Sequence, residues 1–505
     1  MDDTYLQYYI NQAGSGVGQF YSGPVYQRGY GVGSFLGGLF RSVLPILKKG
    51  SVALGRELIS CGANVMDDID QNIPLNSAVK NRGMQSLANF KKKVLNMSGN
   101  GYKAIYLDCN KKMAFLNQHQ KITTKTELDL FATPPTQTSI ESGKMVCYRP
   151  ISTVSNDAPI EFHIPGAGDE YIDLSRTMLY LKVRITPHSE TLADKSLKHY
   201  KIAPINNFLH SLFNQVDVFL NQKCITPPSN SYNYRSYLEH LLNFGVDSKS
   251  THLTNSLFYA DSAGEFETLT NKNVGFITRQ TLAKNDIEMY GHLHCDIFNQ
   301  DKYLLNGVDL SVKLQHAKKQ FYLMGKANSD ADIQILDVEL HTRKVKINPS
   351  ILIAHARALS VATAKYNITR VDVKTITIAS GVQAKTLDNV YLGQLPKRCI
   401  IGFVDSRAFN GNIQRNPYNF AHFNHNFLCL YVDSVQIPSK PLTPDFSKNQ
   451  YIRSYHSLFD GCGLNFTDAG NCISRSDYPH GFCLSAFDLT ADLSCNDSHW
   501  NIIEI

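Results

Sequence analysis

Residues 178–185, MLYLKVRI, place Leu179, Leu181, Val183 and Ile185 on one side of an extended chain, and Met178, Tyr180, Lys182 and Arg184 on the other. A period of two is the signature of a half-buried β-strand. The same period recurs in residues 158–164 (APIEFHI), 215–220 (QVDVFL), 307–314 (GVDLSVKL), 333–340 (IQILDVEL), 371–378 (VDVKTITI) and 427–432 (FLCLYV). Long connections containing Asn, Pro and Gly separate these runs. They fall into two blocks, 128–348 and 365–495, with no obvious sequence repetition between them. An all-β chain with many short strands and long loops is a sandwich or jelly roll, and two blocks imply two of them. The 26 Tyr, 26 Phe and 19 Pro of this 505-residue chain agree with sheets and turns.

The period of two is absent before about residue 127. Residues 1–33 are rich in Gly, Tyr and Gln, a composition that favours a flexible segment. Residues 34–100 change to helical spacing. Ser34 is a candidate cap, and Phe35, Leu39, Val43 and Ile46 recur on one face, widened by Leu36, Phe40, Leu44 and Leu47. Pro45 interrupts this helix, and Gly37 and Gly38 weaken it. Further helical patterns follow, the last ending in the basic run Lys91, Lys92 and Lys93. Residues 1–112 hold 13 Lys/Arg and 7 Asp/Glu, so the chain's whole net charge of +6 resides there and the rest is balanced. Such a distribution suits either a small helical bundle or a membrane-surface helix with a basic flank. The lysine run is read either as a solvated helix end or as a sequence-blind contact to DNA or acidic lipid.

Several chemistries lack a signature. The 11 cysteines are odd in number and include no C-x-x-C pair, which favours free thiols in a reducing compartment. There is no secretory pattern at the N-terminus, and no apolar run is long enough to span a bilayer. His292, His294 and Asp296 would share one strand face, but no partner at metal-site spacing lies nearby, so a packed or solvated face is expected and no metal is assigned. Cys462, Cys472 and Cys483 lack paired neighbours and read as core or loop thiols. No P-loop, zinc-protease or nucleophile-elbow motif occurs. No catalytic residue and no cofactor is expected.

Residues 127–140 (ELDLFATPPTQTSI) resemble the start of capsid proteins encoded by Polinton (Maverick) elements and adintoviruses. Similar stretches are 159–164 (PIEFHI), 171–174 (YIDL), 208–218 (FLHSLFNQVDV), 225–237 (ITPPSNSYNYRSY) and 343–355 (RKVKINPSILIAH). They continue with 393–396 (GQLP), 408–420 (AFNGNIQRNPYNF) and 478–489 (YPHGFCLSAFDL). The resemblance implies an all-β double jelly roll, two β-sandwiches side by side, behind a flexible and partly α-helical N-terminal region. The first roll would cover 127–348 and the second 349–505. It further implies a homotrimeric capsomer that contacts neighbouring capsomers and a penton-like minor capsid protein in an icosahedral virion, with assembly in the host nucleus.

The N-terminal stretch 11–50 resembles another product of the same elements, similar to the minor membrane-active protein of adenoviruses. Residues 101–126 then read as a linker or fusion junction, since Met113 resembles the usual start of the capsid frame. The resemblance also implies processing by an adenovirus-type cysteine protease. Matching sites lie between Ser15 and Gly16, between Asn100 and Gly101, and between 167 and Gly168, the last within an expected turn. The family continues with further strand sequence beyond the position of Trp500, so the second roll is expected to lack its last strand. That feature carries the alternative reading, an endogenised β-sandwich interaction protein that no longer forms capsids.

Overall fold

The computed structural model describes residues 136–155, 158–166, 168–187, 201–327, 329–391, 395–468, 470–490 and 501–504. Ten strands come first: β1 (Ile140–Tyr148), β2 (Ile160–Ile164), β3 (Glu170–Pro187), β4 (Ala203–Pro204), β5 (Phe213–Leu220), β6 (Lys223–Cys224), β7 (Ile287–His292), β8 (Leu310–His316), β9 (Leu323–Met324) and β10 (Ala331–Ile347). Two four-stranded sheets form, in the orders β1-β10-β3-β7 and β2-β8-β5-β6, and β4 pairs with β9 in a short ladder of its own. Every ladder in them is antiparallel, and β1 meets β10, β2 meets β8, β3 meets β7 and β5 meets β6. The pairs are therefore nested, each later strand returning beside an earlier one. That wiring is a jelly roll.

The alternation in sequence fixes which face is inside. In β2 the residues Ile160, Phe162 and Ile164 are buried, while Glu161 is half-buried and His163 faces water. They lie opposite Leu314, Val312 and Leu310 of β8, which are buried too. Leu179, Leu181, Val183 and Ile185 of β3 are all buried. Each such side chain contributes about 1.5–3 kcal/mol by leaving water.

Eight further strands repeat the nesting: β11 (Lys365–Ile368), β12 (Arg398–Gly402), β13 (Phe420–Ala421), β14 (Leu428–Val432), β15 (Val435–Leu442), β16 (His480–Gly481), β17 (Leu484–Asp488) and β18 (Asn501–Glu504). The pairs are β11 with β18, β12 with β17, β13 with β16 and β14 with β15, all antiparallel. The innermost hairpin of each roll closes the same way. Asn221 and Gln222 join β5 to β6 with φ of 46° and 66°, and Asp433 and Ser434 join β14 to β15 with φ of 47° and 68°. Positive φ at both central residues gives the turn twist that two adjacent strands require. The fold is thus a double jelly roll, as expected, and one apolar core runs through both rolls from Ile160 to Ala486.

The structure departs from the sequence reading in two ways. Residues 371–378, expected as a strand, carry no regular secondary structure and have no ladder partner among the described residues; Ile376 and Ile378 are exposed. Alternation makes a segment strand-competent, but a strand forms only where a neighbour accepts its hydrogen bonds. The connections also hold helices that a period-two reading passed over. These include α1 (Phe208–Ser211), α2 (Tyr232–Asn243), α3 (Val274–Leu282), α4 (Pro349–Leu359) and α5 (Ile452–Cys462). Asn348 caps α4 by accepting from the Ser350 amide, with Pro349 in the first turn. No helix among the described residues is long and apolar enough to cross a membrane.

Candidate functional site

The helix α2 lies in the long connection between β6 and β7, and its sequence YNYRSYLEHLLN presents aromatic residues toward the second roll. Tyr237 stacks face to face on Tyr418, with ring centroids 4.0 Å apart and planes within 1°. Tyr234 stacks on Phe409 and meets Tyr418 and Phe321 edge-on, each centroid distance between 5.6 and 5.7 Å. Aromatic pairs of this kind contribute about 0.5–1.5 kcal/mol beyond the area they bury. The Tyr418 hydroxyl is satisfied inside the contact by a 2.6 Å hydrogen bond with Ser211 and a bond to the Asn233 carbonyl. Burial, opposed by the Ser211 bond, raises its phenol above the usual range, so it stays neutral.

A polar seam runs beside the aromatic one. Arg279 of α3 and Asp261 form an ion pair at 2.6 Å, and both side chains are fully buried. Asp261 is also served by the Asn273 amide at 2.9 Å and by the Asn416 amide at 3.0 Å. Arg279 spends its other donors on the carbonyls of Pro204 and Tyr259. Buried charge is tolerable only when paired and hydrogen-bonded, and here both conditions are met. At the rim, Arg415 pairs with Glu267, and Lys249 donates to the carbonyls of Leu241 and Asn471. Gly481 has φ of 109°, and a Cβ there would sit 2.2 Å from the Phe266 ring. Only glycine fits such a turn under an aromatic ring.

Three of the stretches that carry the family resemblance, 225–237, 408–420 and 478–489, therefore meet at this seam through Tyr234, Tyr237, Arg415, Asn416, Tyr418 and Gly481. Their residue types are explained by the joining of two rolls and need no catalytic role.

The expected site residues in the N-terminal region, namely Ser15, Gly16, Asn100, Gly101, the apolar face from Phe35 to Leu47 and the lysines 91–93, lie outside the described residues. The third cleavage match does not lie in a free extended strand. The Gly166 amide donates to Asp309, the Gly307 amide donates back to the Gly166 carbonyl, and a Cβ on Gly166 would strike Val308 at 2.4 Å. All eight cysteines among the described residues are free thiols, Cys462 half-buried, Cys472 exposed and Cys483 buried.

The stretch from His292 to Asp296 is not one strand face, because β7 ends at His292. The Nε2–H of His292 donates to the Phe298 carbonyl, and Asp296 pairs with Arg235 at 2.7 Å. His294 instead meets His240 of α2, their Nε2 atoms 3.1 Å apart, beside His210 of α1. Burial first, and then the neighbouring imidazoles, push His210 and His240 well below the usual histidine value. Burial alone would raise the Glu239 carboxyl, but its bond to His294 and the nearby Arg235 bring it down to about 2. Sequence spacing singled out His294 but gave no signal for its partners, since the three stand 30 and 54 residues apart.

No protein-family model matches the chain. A curated relative, the uncharacterized protein F54H12.2 of Caenorhabditis elegans, is 23% identical over 366 residues, covering 70% of this chain and 86% of that protein. Among solved structures, a chain from the cryo-EM structure of the Sputnik virophage aligns with a TM-score of 0.48 and 13% identity, covering 77% of this chain and 85% of its own. A chain of the PBCV-1 virus capsid aligns at 0.36 with 12% identity over 74% and 85%. The mavirus major capsid protein aligns at 0.27 with 13% identity over 54% and 56%. The strand order, and not these likenesses, defines the fold.

Proposed function

We propose that this chain is the major capsid protein of a Polinton or adintovirus-type element, which builds trimeric capsomers of an icosahedral shell. The observation that carries the reading is the repetition, within one chain, of two nested sets of four antiparallel pairs joined through a buried seam. A rigid pair of rolls gives each subunit two similar wall elements, so three copies approximate a hexagonal tile. The work is burial of surface and not chemistry, and no catalytic residue takes part.

The distribution of exposed apolar side chains supports a second copy of this chain as the partner. Ile376, Ile378, Phe423, Phe427, Tyr431 and Val435 all stand in water in the second roll, whereas the first roll leaves few such residues out. Surface of this kind suits burial between subunits. The N-terminal region would add a membrane-active, basic segment, with Phe35 to Leu47 on lipid and Lys91 to Lys93 on DNA or acidic headgroups. Cleavage by a cysteine protease after Ser15 or Asn100 would release it inside the virion.

Light scattering on the purified full chain tests the central claim. The expected mass is three times the 56.6 kDa of one chain. A folded monomer at all concentrations overturns the capsomer, and the interaction-module reading then takes its place.

A further inference from the structure

Three elements of the first roll converge where His210 of α1, His240 in the last turn of α2 and His294 just beyond β7 meet. All three side chains are buried, and one nitrogen of each lies within 4.8 Å of the others. Ring centroids are 4.5 to 5.4 Å apart, and the planes cross at 69° to 87°. Rings this close bring a nitrogen of each within reach of the others.

The Nδ1 nitrogens are all engaged. The Nδ1 of His210 bonds the Tyr232 hydroxyl at 3.0 Å, that of His240 the Asn207 side-chain oxygen at 3.0 Å, and that of His294 a Glu239 oxygen at 2.5 Å. A hydrogen-bonded Nδ1 fixes ring orientation and leaves the Nε2 lone pair free to coordinate, which is the usual outer shell of a metal-bound histidine. The Nε2 nitrogens are not satisfied in the same way. Those of His240 and His294 face each other, and the Nε2 of His210 is buried with no hydrogen-bond partner. An orphaned buried nitrogen is costly unless something else binds it. The backbone makes room for that ring, since a Cβ on Gly291 would come within 2.7 Å of Leu209 and 3.3 Å of the His210 Nε2.

We propose that His210, His240 and His294 bind a divalent transition-metal ion, zinc in the first instance, as a three-imidazole site inside the first roll. Imidazole-only ligation suits zinc, and a tetrahedral centre with bonds of about 2.0–2.1 Å sets its ligand nitrogens about 3.3 Å apart. The 3.1 Å between His240 and His294 is close to that edge. Water would complete the fourth position. Glu239 offsets part of the added charge through His294, and Asn207 and Tyr232 hold the other two rings. The ion would tie α1, α2 and the end of β7 together. This site stands apart from the capsomer reading and neither requires nor implies it.

The probe is zinc alone on the purified full chain, with metal content read by mass spectrometry and affinity by competition with a chelating dye. One zinc per folded chain is expected. His210→Phe preserves the ring and removes the ligand, and should weaken binding more than about 100-fold, beyond what loss of an outer-shell partner does. His341→Ala disables the half-exposed grouping of Cys147, Glu339 and His341 and should leave the zinc in place. X-ray absorption on the zinc-loaded wild type gives a readout that needs no variant, and should find three imidazole nitrogens and no sulfur. A folded wild type that takes up no zinc, a folded His210→Phe chain that binds as the wild type does, or sulfur at the metal would overturn the site. In each case the trio is a hydrogen-bonded histidine cluster.

Discussion

In the first roll β10 hydrogen-bonds to both β1 and β3, and β8 to both β2 and β5, so its nested pairs merge into two four-stranded sheets. In the second roll, among the described residues, the same four pairs stand as separate two-stranded ladders. Strand lengths follow suit: β3 and β10 run for 18 and 17 residues, while β13 and β16 have two each. Burial differs in the same direction. β2 alternates buried with less buried residues, and β14 contains no buried residue at all. One wiring is thus built twice, once as a closed sandwich and once as a framework with much of its apolar surface in water. A two-stranded ladder is marginal by itself. The second roll therefore relies on the first through the seam and, in the proposed capsomer, on neighbouring copies.

The largest expected effect comes from breaking that reliance at its centre. Arg279→Ala leaves the fully buried Asp261 with amide donors but without its cation. Loss of one partner of a buried pair costs about 3–5 kcal/mol. Because Asp261 also holds Asn416 of the second roll, urea unfolding should show a single transition shifted by that amount. Two separate transitions in the wild type would break the comparison, since each roll would then be stable without the other.

An intermediate effect falls on the open surface. Tyr431 of β14 and Val435 of β15 flank the same hairpin turn, on opposite faces of its ladder, and are each 64% exposed. Replacing both with serine should change monomer stability by no more than about 0.5 kcal/mol, as for other surface positions. The same pair should raise the trimer dissociation constant by about tenfold, a difference of about 1.4 kcal/mol. Sedimentation over a concentration series separates the two quantities. An unchanged trimer with these serines would move the subunit contact to another face of the second roll.

The sequence disclosed the first roll far better than the second, for a physical reason. Long strands with one dry face carry the alternation furthest, so residues 178–185 could be read directly, and residues 333–340 alternate on either side of an irregularity between Ile335 and Asp337. Short, half-exposed strands such as β13 and β16 carry almost none. Residues 371–378 alternate well and still form no strand, because alternation reports competence and not the presence of a neighbour. The helices α2 and α3 were hidden inside connections that looked like loops, and with them the whole seam. Tyr237 and Tyr418 are 181 positions apart, and no local pattern announces that they stack. The histidine trio was half visible: His294 stood out within its HLHCD stretch, whereas its partners lay on helices that had not been recognised.

The smallest expected effect probes how dry the rim of the seam is. Lys249 reaches from beside α2 to the Asn471 carbonyl in the second roll, at 2.6 Å, and to the Leu241 carbonyl at 2.7 Å. Burial lowers its ammonium from the ordinary 10.5 to about 8. Below about pH 8 both the folded and the unfolded chain carry the proton, and the folded state bears the full cost of a partly desolvated cation. Between about pH 8 and 10.5 the folded chain releases the proton while the unfolded chain keeps it, so stability rises with pH across that window. Lys249→Met carries no such group. The stability of the wild type relative to this variant should therefore climb by about 1–2 kcal/mol from pH 8 to pH 10, after allowance for the water that reaches the side chain. Denaturant midpoints of the two chains at matched pH provide the measurement. A flat difference would mean that Lys249 keeps its ordinary value. The rim between the rolls would then be wet, and the hold of the first roll on the second would rest on the buried contacts around Arg279 and Tyr418.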